Sequence, residues 1–180
     1  MKVFIFLADG FEELEAIAPI DIFRRAGFEV TVISISNEKA VRGAHNITVM
    51  ADSLFTEADY SVNDLIYLPG GMPGTKNLDA HNGLKDLLLK HAKLGGNIAA
   101  ICAAPSILGK MGLLYGKEAI CYPGYENQLQ GAILSEKKIV KSGSIITAIG
   151  AGIAVEFALR LVEELKGEET ALRISKSICH

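Results

Sequence analysis

Cys102 closes a short apolar run, Asn97-Ile98-Ala99-Ala100-Ile101, that reads as a strand, and Ala103-Ala104-Pro105-Ser106-Ile107-Leu108 behind it reads as the opening of a helix. A cysteine in such a turn projects beyond the sheet edge, and the positive end of the helix with its unpaired N–H groups favours thiolate over thiol. Ala103 and Ala104 are small enough for a tight turn that leaves space over the sulfur. Pro105 falls in the first helical turn, where a missing N–H costs no bond. The competing reading is a buried cysteine that acts as a small hydrophobe, and this segment alone leaves both open.

Two further segments bring chemistry to the same place. In an open parallel sheet, sites collect where strands end and helices begin. One segment is Ala8-Asp9-Gly10-Phe11-Glu12-Glu13-Leu14-Glu15 and the other is Pro69-Gly70-Gly71-Met72-Pro73-Gly74. With Cys102 they offer a nucleophile, a proton carrier and a cradle of backbone N–H groups. Glu12 and Glu13 read as solvated charge favoured at a helix start. Glu15 differs, because its place beside Leu14 and Ile17 lets it turn toward the strand ends. Next to a thiolate its carboxyl is best protonated, since an ionised neighbour would oppose loss of the thiol proton. Gly70 and Gly71 make a tight turn. The missing side chain also lets the Gly71 N–H approach an oxyanion or a sulfur oxide together with the N–H of Ala103.

The elements that position these groups alternate along the chain. Lys2 to Ala8, Glu12 to Ala26 and Glu29 to Ile35 read as strand, helix, strand, the rhythm of a parallel sheet covered on both faces. Arg24-Arg25-Ala26-Gly27 ends the first helix, and Pro19 interrupts its middle. Val41 to Met50 reads as a hairpin or edge strand, and Leu65 to Leu68 as a buried strand. Leu84, Leu87, Leu88 and His91 mark an amphipathic helix. Ala119 to Tyr122 reads as a strand broken at Pro123-Gly124. Lys138 to Val140 and Ile145 to Ala148 read as an antiparallel hairpin about Gly143. A long helix runs from near Ala151 to Lys166 with Ala154, Phe157, Ala158, Leu161, Val162 and Leu165 inward, and Glu168 to Ile178 forms a last amphipathic piece.

With 180 residues, 49% of them apolar, the chain is long enough to bury the core of a single domain, residues 1–180. Its apolar runs are strand-sized, too short for a membrane span. Asp9-Gly10-Phe11-Glu12 follows the first run where a signal peptide would have a cleavage site. Cys102, Cys121 and Cys179 lack C-x-x-C spacing, which disfavours disulfides and zinc knuckles and fits a reducing, cytoplasmic setting. A net charge of −3 without a basic run gives no footprint for nucleic acid. Cys121 reads as a buried strand residue and Cys179 as an exposed one. His81, His91 and His180 read as solvated or packing residues.

These segments together resemble the DJ-1/ThiJ/PfpI superfamily, in its DJ-1-like branch. The resemblance rests on Ala-Asp-Gly-Phe-Glu-Glu-Leu-Glu near the start, Leu-Pro-Gly-Gly in the middle, Ala-Ala-Ile-Cys-Ala-Ala-Pro at the elbow, and Gly150-Ala151-Gly152 before Glu156-Phe157-Ala158-Leu159. It implies a flavodoxin-like α/β sandwich, with a mostly parallel central sheet between helices, that forms a homodimer. By the same resemblance Cys102 is the reactive, oxidisable cysteine, Glu15 its protonated partner, and Gly71 and Ala103 the backbone donors. Gly70 and Gly150 line the pocket. Three departures limit the transfer. Ala103 stands where the protease-like branch has a histidine, which disfavours peptidase activity. Tyr122 stands before Pro123 where DJ-1-like members often carry a histidine. His45, or else Arg42, takes the place of a pocket arginine.

The expected function is cysteine-dependent protection against reactive carbonyls such as methylglyoxal, glyoxalase-like or deglycase-like, with no metal or organic cofactor needed. An oxidative-stress sensor or chaperone that forms a cysteine sulfinate would use the same groups. A hydrolase or amidotransferase-like role in thiazole or thiamine metabolism ranks last, because Cys102 lacks an adjacent histidine.

Overall fold

The computed structural model describes all 180 residues. Strand β1 (Lys2–Leu7) leads into helix α1 (Glu13–Arg25) and strand β2 (Glu29–Ser34). A small antiparallel hairpin, β3 (Ala40–Arg42) with β4 (Thr48–Met50), and the short β5 (Ser53–Leu54) follow. Then come β6 (Leu65–Leu68), α2 (Gly74–Ala80), α3 (Asn82–Lys93), β7 (Asn97–Ile101) and α4 (Pro105–Lys110). The two-residue strands β8 (Glu118–Ala119) and β9 (Ile133–Leu134) pair with each other, and β10 (Ile139–Ser142) and β11 (Ile145–Ala148) form the expected second hairpin. Helices α5 (Ala154–Lys166) and α6 (Glu168–Ser177) end the chain.

The main sheet has seven strands in the order β10-β11-β7-β6-β1-β2-β5, all parallel except the β10–β11 pair. Alternate residues of each central strand enter opposite cores, as a period of two requires. Val3, Ile5, Leu7, Tyr67 and Ile101 pack with Phe23 of α1 and with Phe157 and Leu161 of α5. Phe4, Phe6, Ile66, Leu68 and Ile98 pack on the other side with Leu78, Leu84, Leu88 and Ile107. Each such side chain contributes roughly 1.5–3 kcal/mol when fully buried. No helix is long and apolar enough to cross a membrane.

Several elements differ from the sequence expectation. Helix α1 runs unbroken through Pro19. Helix α2 is unforeseen, because Gly-Thr-Lys-Asn-Leu-Asp-Ala carries no apolar stripe and buries only Gly74, Thr75 and Leu78. The strand expected over Ala119 to Tyr122 stops at Ala119. Beyond it the backbone finds other partners: Ile120 N–H donates to the Thr147 hydroxyl at 3.0 Å and Tyr122 N–H to the Cys102 carbonyl at 2.8 Å. Cys121 is therefore buried in irregular chain rather than in a strand. The long helix begins at Ala154, after a 3-10 turn over Ala151–Ile153.

Candidate active site

Cys102 sits between the end of β7 and the start of α4 with φ +63, a left-handed conformation that costs a non-glycine residue about 1–3 kcal/mol. The elbow is held on both sides. Cys102 N–H donates to the Ala148 carbonyl at 2.9 Å, and the Cys102 carbonyl accepts the Tyr122 N–H. The residue is only partly buried, so its sulfur stays within reach of a small reagent.

Glu15 comes from the first full turn of α1 and is completely buried. Glu12, at the N-cap, accepts the Glu15 N–H at 2.8 Å and so fixes where that turn begins. One Glu15 oxygen, Oε2, accepts the Gly70 N–H at 2.7 Å, whereas Oε1 is buried without a hydrogen-bond acceptor or donor partner in the bonded network. The side chain comes up beside Cys102 across Gly70, near enough for the thiol and the Ala151 backbone to act on its carboxyl. Burial raises the Glu15 carboxyl to about 7 against the pull of those donors. A buried oxygen without a donor disfavours negative charge on it, in keeping with the raised value.

The sulfur is also pushed up, to about 12, first by burial and then by the charge and hydrogen bond of Glu15. The N–H groups of Ala103 and Gly71 act in the opposite sense. The sequence reading gave the following helix the larger say. In the structure α4 begins only at Pro105 and has six residues, too short to outweigh desolvation and a neighbouring carboxylate. A proton held by the pair therefore rests on sulfur more readily than on oxygen, and the two N–H donors pull the other way, lowering the cost of moving it to Glu15.

Gly70 and Gly71 have separate reasons to be glycine. A Cβ on Gly70 would lie 2.8 Å from both the Cys102 Cβ and Glu15 Oε2, so only glycine lets acid and thiol meet there. Gly71 has φ +91, and a Cβ on it would lie 2.3 Å from the Glu12 backbone nitrogen.

The remaining expected residues are placed less centrally. The Tyr122 ring is half exposed and reaches the site through its backbone N–H. Gly150 faces that ring, since a Cβ on it would come within 3.3 Å of Tyr122. His45 does not bond the sulfur; its ring bonds Glu13 Oε2 at 2.8 Å, and Arg42 is exposed with its N–H on Asp9. Glu13 corrects the sequence reading of a solvated charge. It is 5% exposed and accepts the His45 N–H at 2.7 Å, because the β3–β4 loop folds over it. His91 is buried against the carbonyls of Asp64 and Asn97, and His81 caps α3 through the Leu84 N–H at 2.9 Å.

Sequence reasoning passed over Tyr67. Its hydroxyl, fully buried, donates to the Glu15 carbonyl at 2.9 Å. In an α-helix that carbonyl would accept from residue 19, which is Pro19 and has no N–H. The tyrosine fills the vacancy. A lone hydroxyl within the apolar run Leu-Ile-Tyr-Leu was the signal that could have found it, whereas nothing in the sequence singles out Ala148.

Comparison with known proteins bears on the family and the fold. The DJ-1/PfpI family model matches residues 1–164. The DJ-1 homolog B of Arabidopsis thaliana is 42% identical over 97% of this chain, which spans 40% of that protein's length. The dj-1beta protein of Drosophila melanogaster is 37% identical, with 97% of this chain and 94% of that protein covered. A Caenorhabditis elegans protein named glutathione-independent glyoxalase DJR-1.2 is 32% identical over 93% of this chain and 90% of its own length. Among solved structures, oxidized DJ-1 of Toxoplasma gondii superposes with a TM-score of 0.94 at 36% identity, covering 99% of this chain and 98% of that one. The match over residues 1–164 and the relatives covered nearly end to end show that the chain belongs to the DJ-1/PfpI family.

Proposed function

We propose that this protein is a cysteine-dependent stress-protection enzyme that consumes reactive carbonyls such as methylglyoxal. One observation carries the reading: the buried Glu15 carboxyl and the partly exposed Cys102 converge on Gly70, where a single added Cβ would lie 2.8 Å from both side chains. The sulfur adds to the aldehyde carbon as the thiol proton passes, through Glu15, to the carbonyl oxygen, giving a hemithioacetal. The Gly71 and Ala103 N–H groups hold the oxygen while it carries charge. Glu15 then takes the proton from the former aldehyde carbon and returns it to the adjacent carbon, while the hydroxyl proton passes from the former aldehyde oxygen to the neighbouring ketone oxygen, which leaves a thioester. Water cleaves that thioester to lactate and the free thiol. The sum is methylglyoxal plus water to lactate, and this chemistry requires no metal or organic cofactor. The relative named as a glyoxalase supports the substrate class. Lactate formation by wild type and its loss in Cys102→Ala is the test, and equal rates would overturn the reading.

A second reading has its own support in the relative solved in an oxidized form. Two equivalents of peroxide convert the thiolate to a sulfinate and two waters, and the groups that hold an oxyanion also hold a sulfinate. Mass spectrometry after mild peroxide, run beside the carbonyl assay, separates the readings. Gain of two oxygens at Cys102 without carbonyl turnover selects the sensor.

The partner in either case is a second copy of the chain. Leu14 and Ile17 on α1 and Ile47 and Met50 on the hairpin are all exposed, an apolar group that a homodimer would cover. A reducing cytoplasm suits a chain whose function needs Cys102 as a thiol.

A further inference from the structure

The first turn of α1 and the β3–β4 loop form a second cluster of donor atoms. One oxygen of Glu12, one of Glu13 and a ring nitrogen of His45 lie within 4.8 Å of one another. Each carboxylate is anchored by its other oxygen. Glu12 Oε2 accepts the Glu15 N–H at 2.8 Å, and Glu13 Oε1 accepts the His45 N–H at 2.7 Å. The remaining oxygens turn to the imidazole: Glu13 Oε2 is 2.8 Å from Nδ1 and Glu12 Oε1 is 3.9 Å from it.

The loop that delivers His45 is fixed by backbone. Ala44 N–H donates to the Phe11 carbonyl at 2.8 Å, Gly43 N–H to the Ile47 carbonyl at 2.9 Å, and Arg42 N–H to Asp9 at 2.9 Å. Gly43 is needed there, because a Cβ on it would lie 2.3 Å from Glu13 Oε1. A Glu–His ion pair uses one carboxylate. Here a second one is turned to the same nitrogen, and the ion pairs of both carboxylates go to His45 alone. The helix start offsets part of this surplus negative charge, and a dication would offset all of it.

We propose that Glu12, Glu13 and His45 bind a divalent cation of the zinc type. Ligand bonds near 2.0 Å at a tetrahedral angle set neighbouring donor atoms ~3.3 Å apart, and the observed 2.8 Å and 3.9 Å straddle that separation. An imidazole with two carboxylates suits zinc-like ions better than magnesium or calcium, which take oxygen, or copper(I), which takes sulfur. The two carboxylates, each anchored through its far oxygen, are the oriented ligands such a centre requires, and the fixed loop backbone brings His45 to them. The exposed side of His45 leaves the fourth position to water. Any proton on Nδ1 leaves to solvent as the metal binds. The ion then fastens the hairpin to the helix that carries Glu15.

Calorimetric titration with zinc chloride tests this in a Cys102→Ser/Cys179→Ser protein, which lacks the two thiols that reach the surface. The expected result is one ion per chain, with affinity lower by ~10-fold or more in His45→Gln and, separately, in Glu12→Gln. In the latter the amide oxygen can still accept the Glu15 N–H, and circular dichroism checks that both variants fold. Cobalt(II) in place of zinc gives a second readout, a visible absorption band that His45→Gln abolishes. Absence of binding, or the same affinity in both variants, overturns the proposal, the latter by placing the ion elsewhere, as at His180.

Discussion

The Tyr67 hydroxyl donates to the Glu15 carbonyl that Pro19 leaves without a helical donor. Strand β6 thus holds helix α1 at Glu15 itself. Tyr67→Phe leaves a buried carbonyl unpaired and is expected to cost about 1–3 kcal/mol in denaturant unfolding. Pro19→Ala restores an N–H to the same carbonyl, so the double variant should recover part of that loss, and strictly additive effects would count against the link. Tyr67 acts here as a positioning residue. Its removal should lower kcat for carbonyl turnover while KM moves little.

Glu15→Gln keeps an oxygen for the Gly70 N–H but cannot move a proton. Carbonyl turnover should fall by ~10²–10⁴-fold. The same substitution changes how stability follows pH. The folded protein holds the Glu15 proton more tightly than the unfolded chain, with a value raised from 4.5 to about 7. The stability this supplies is complete below the unfolded value and is lost as pH rises through the folded one. Melting temperatures measured across that interval should show wild type losing ground to Glu15→Gln as pH rises. A constant difference would show that Glu15 is not buried in this way.

Gly70→Ala puts a methyl 2.8 Å from Cys102 Cβ and Glu15 Oε2. Overpacking of this kind costs about 1–3 kcal/mol. Because the clash falls between acid and sulfur, alkylation of Cys102 by iodoacetamide should change its pH profile as well as its rate.

The left-handed backbone at Cys102 can be tested apart from its sulfur. Cys102→Gly and Cys102→Ala should both abolish the proposed turnover, but only glycine adopts φ +63 without strain. The glycine variant should be at least as stable as the alanine variant in thermal unfolding, by up to about 1 kcal/mol. A clearly less stable glycine variant would argue against a strained elbow.

The dimer is open to a simple check. Leu14→Asp with Ile17→Asp places charge on two exposed positions of α1 and should shift sedimentation from dimer toward monomer. If wild type itself sediments as a monomer, the apolar group on α1 and the hairpin has another purpose.

The sequence disclosed the parts of this fold whose pattern is local. Lys2–Leu7 and Asn97–Ile101 are continuous apolar runs and proved to be central strands, and the inward stripe of the long helix is buried at all the expected positions except Leu165, which is partly buried. What it hid depends on distant partners. Residues 120–122 carry strand-like side chains, yet their N–H groups go to Thr147 and to the elbow. Glu13 looked solvated because its burial comes from a loop 32 residues later, and the same separation conceals its meeting with His45. At the site, Cys102, Glu15 and the glycines were legible from residue type and spacing. The balance of charge between acid and thiol was not, because it depends on how deeply both lie, and burial depth is a property of the packed molecule.

Helix α1 rests against α5, and Lys166 at the far end of α5 bonds the carbonyls of Ala26 and Gly27 at 2.9 Å each. The helix that carries the acid is therefore backed by a segment 140 residues further along the chain, so loosening α5 would displace Glu15 from a distance.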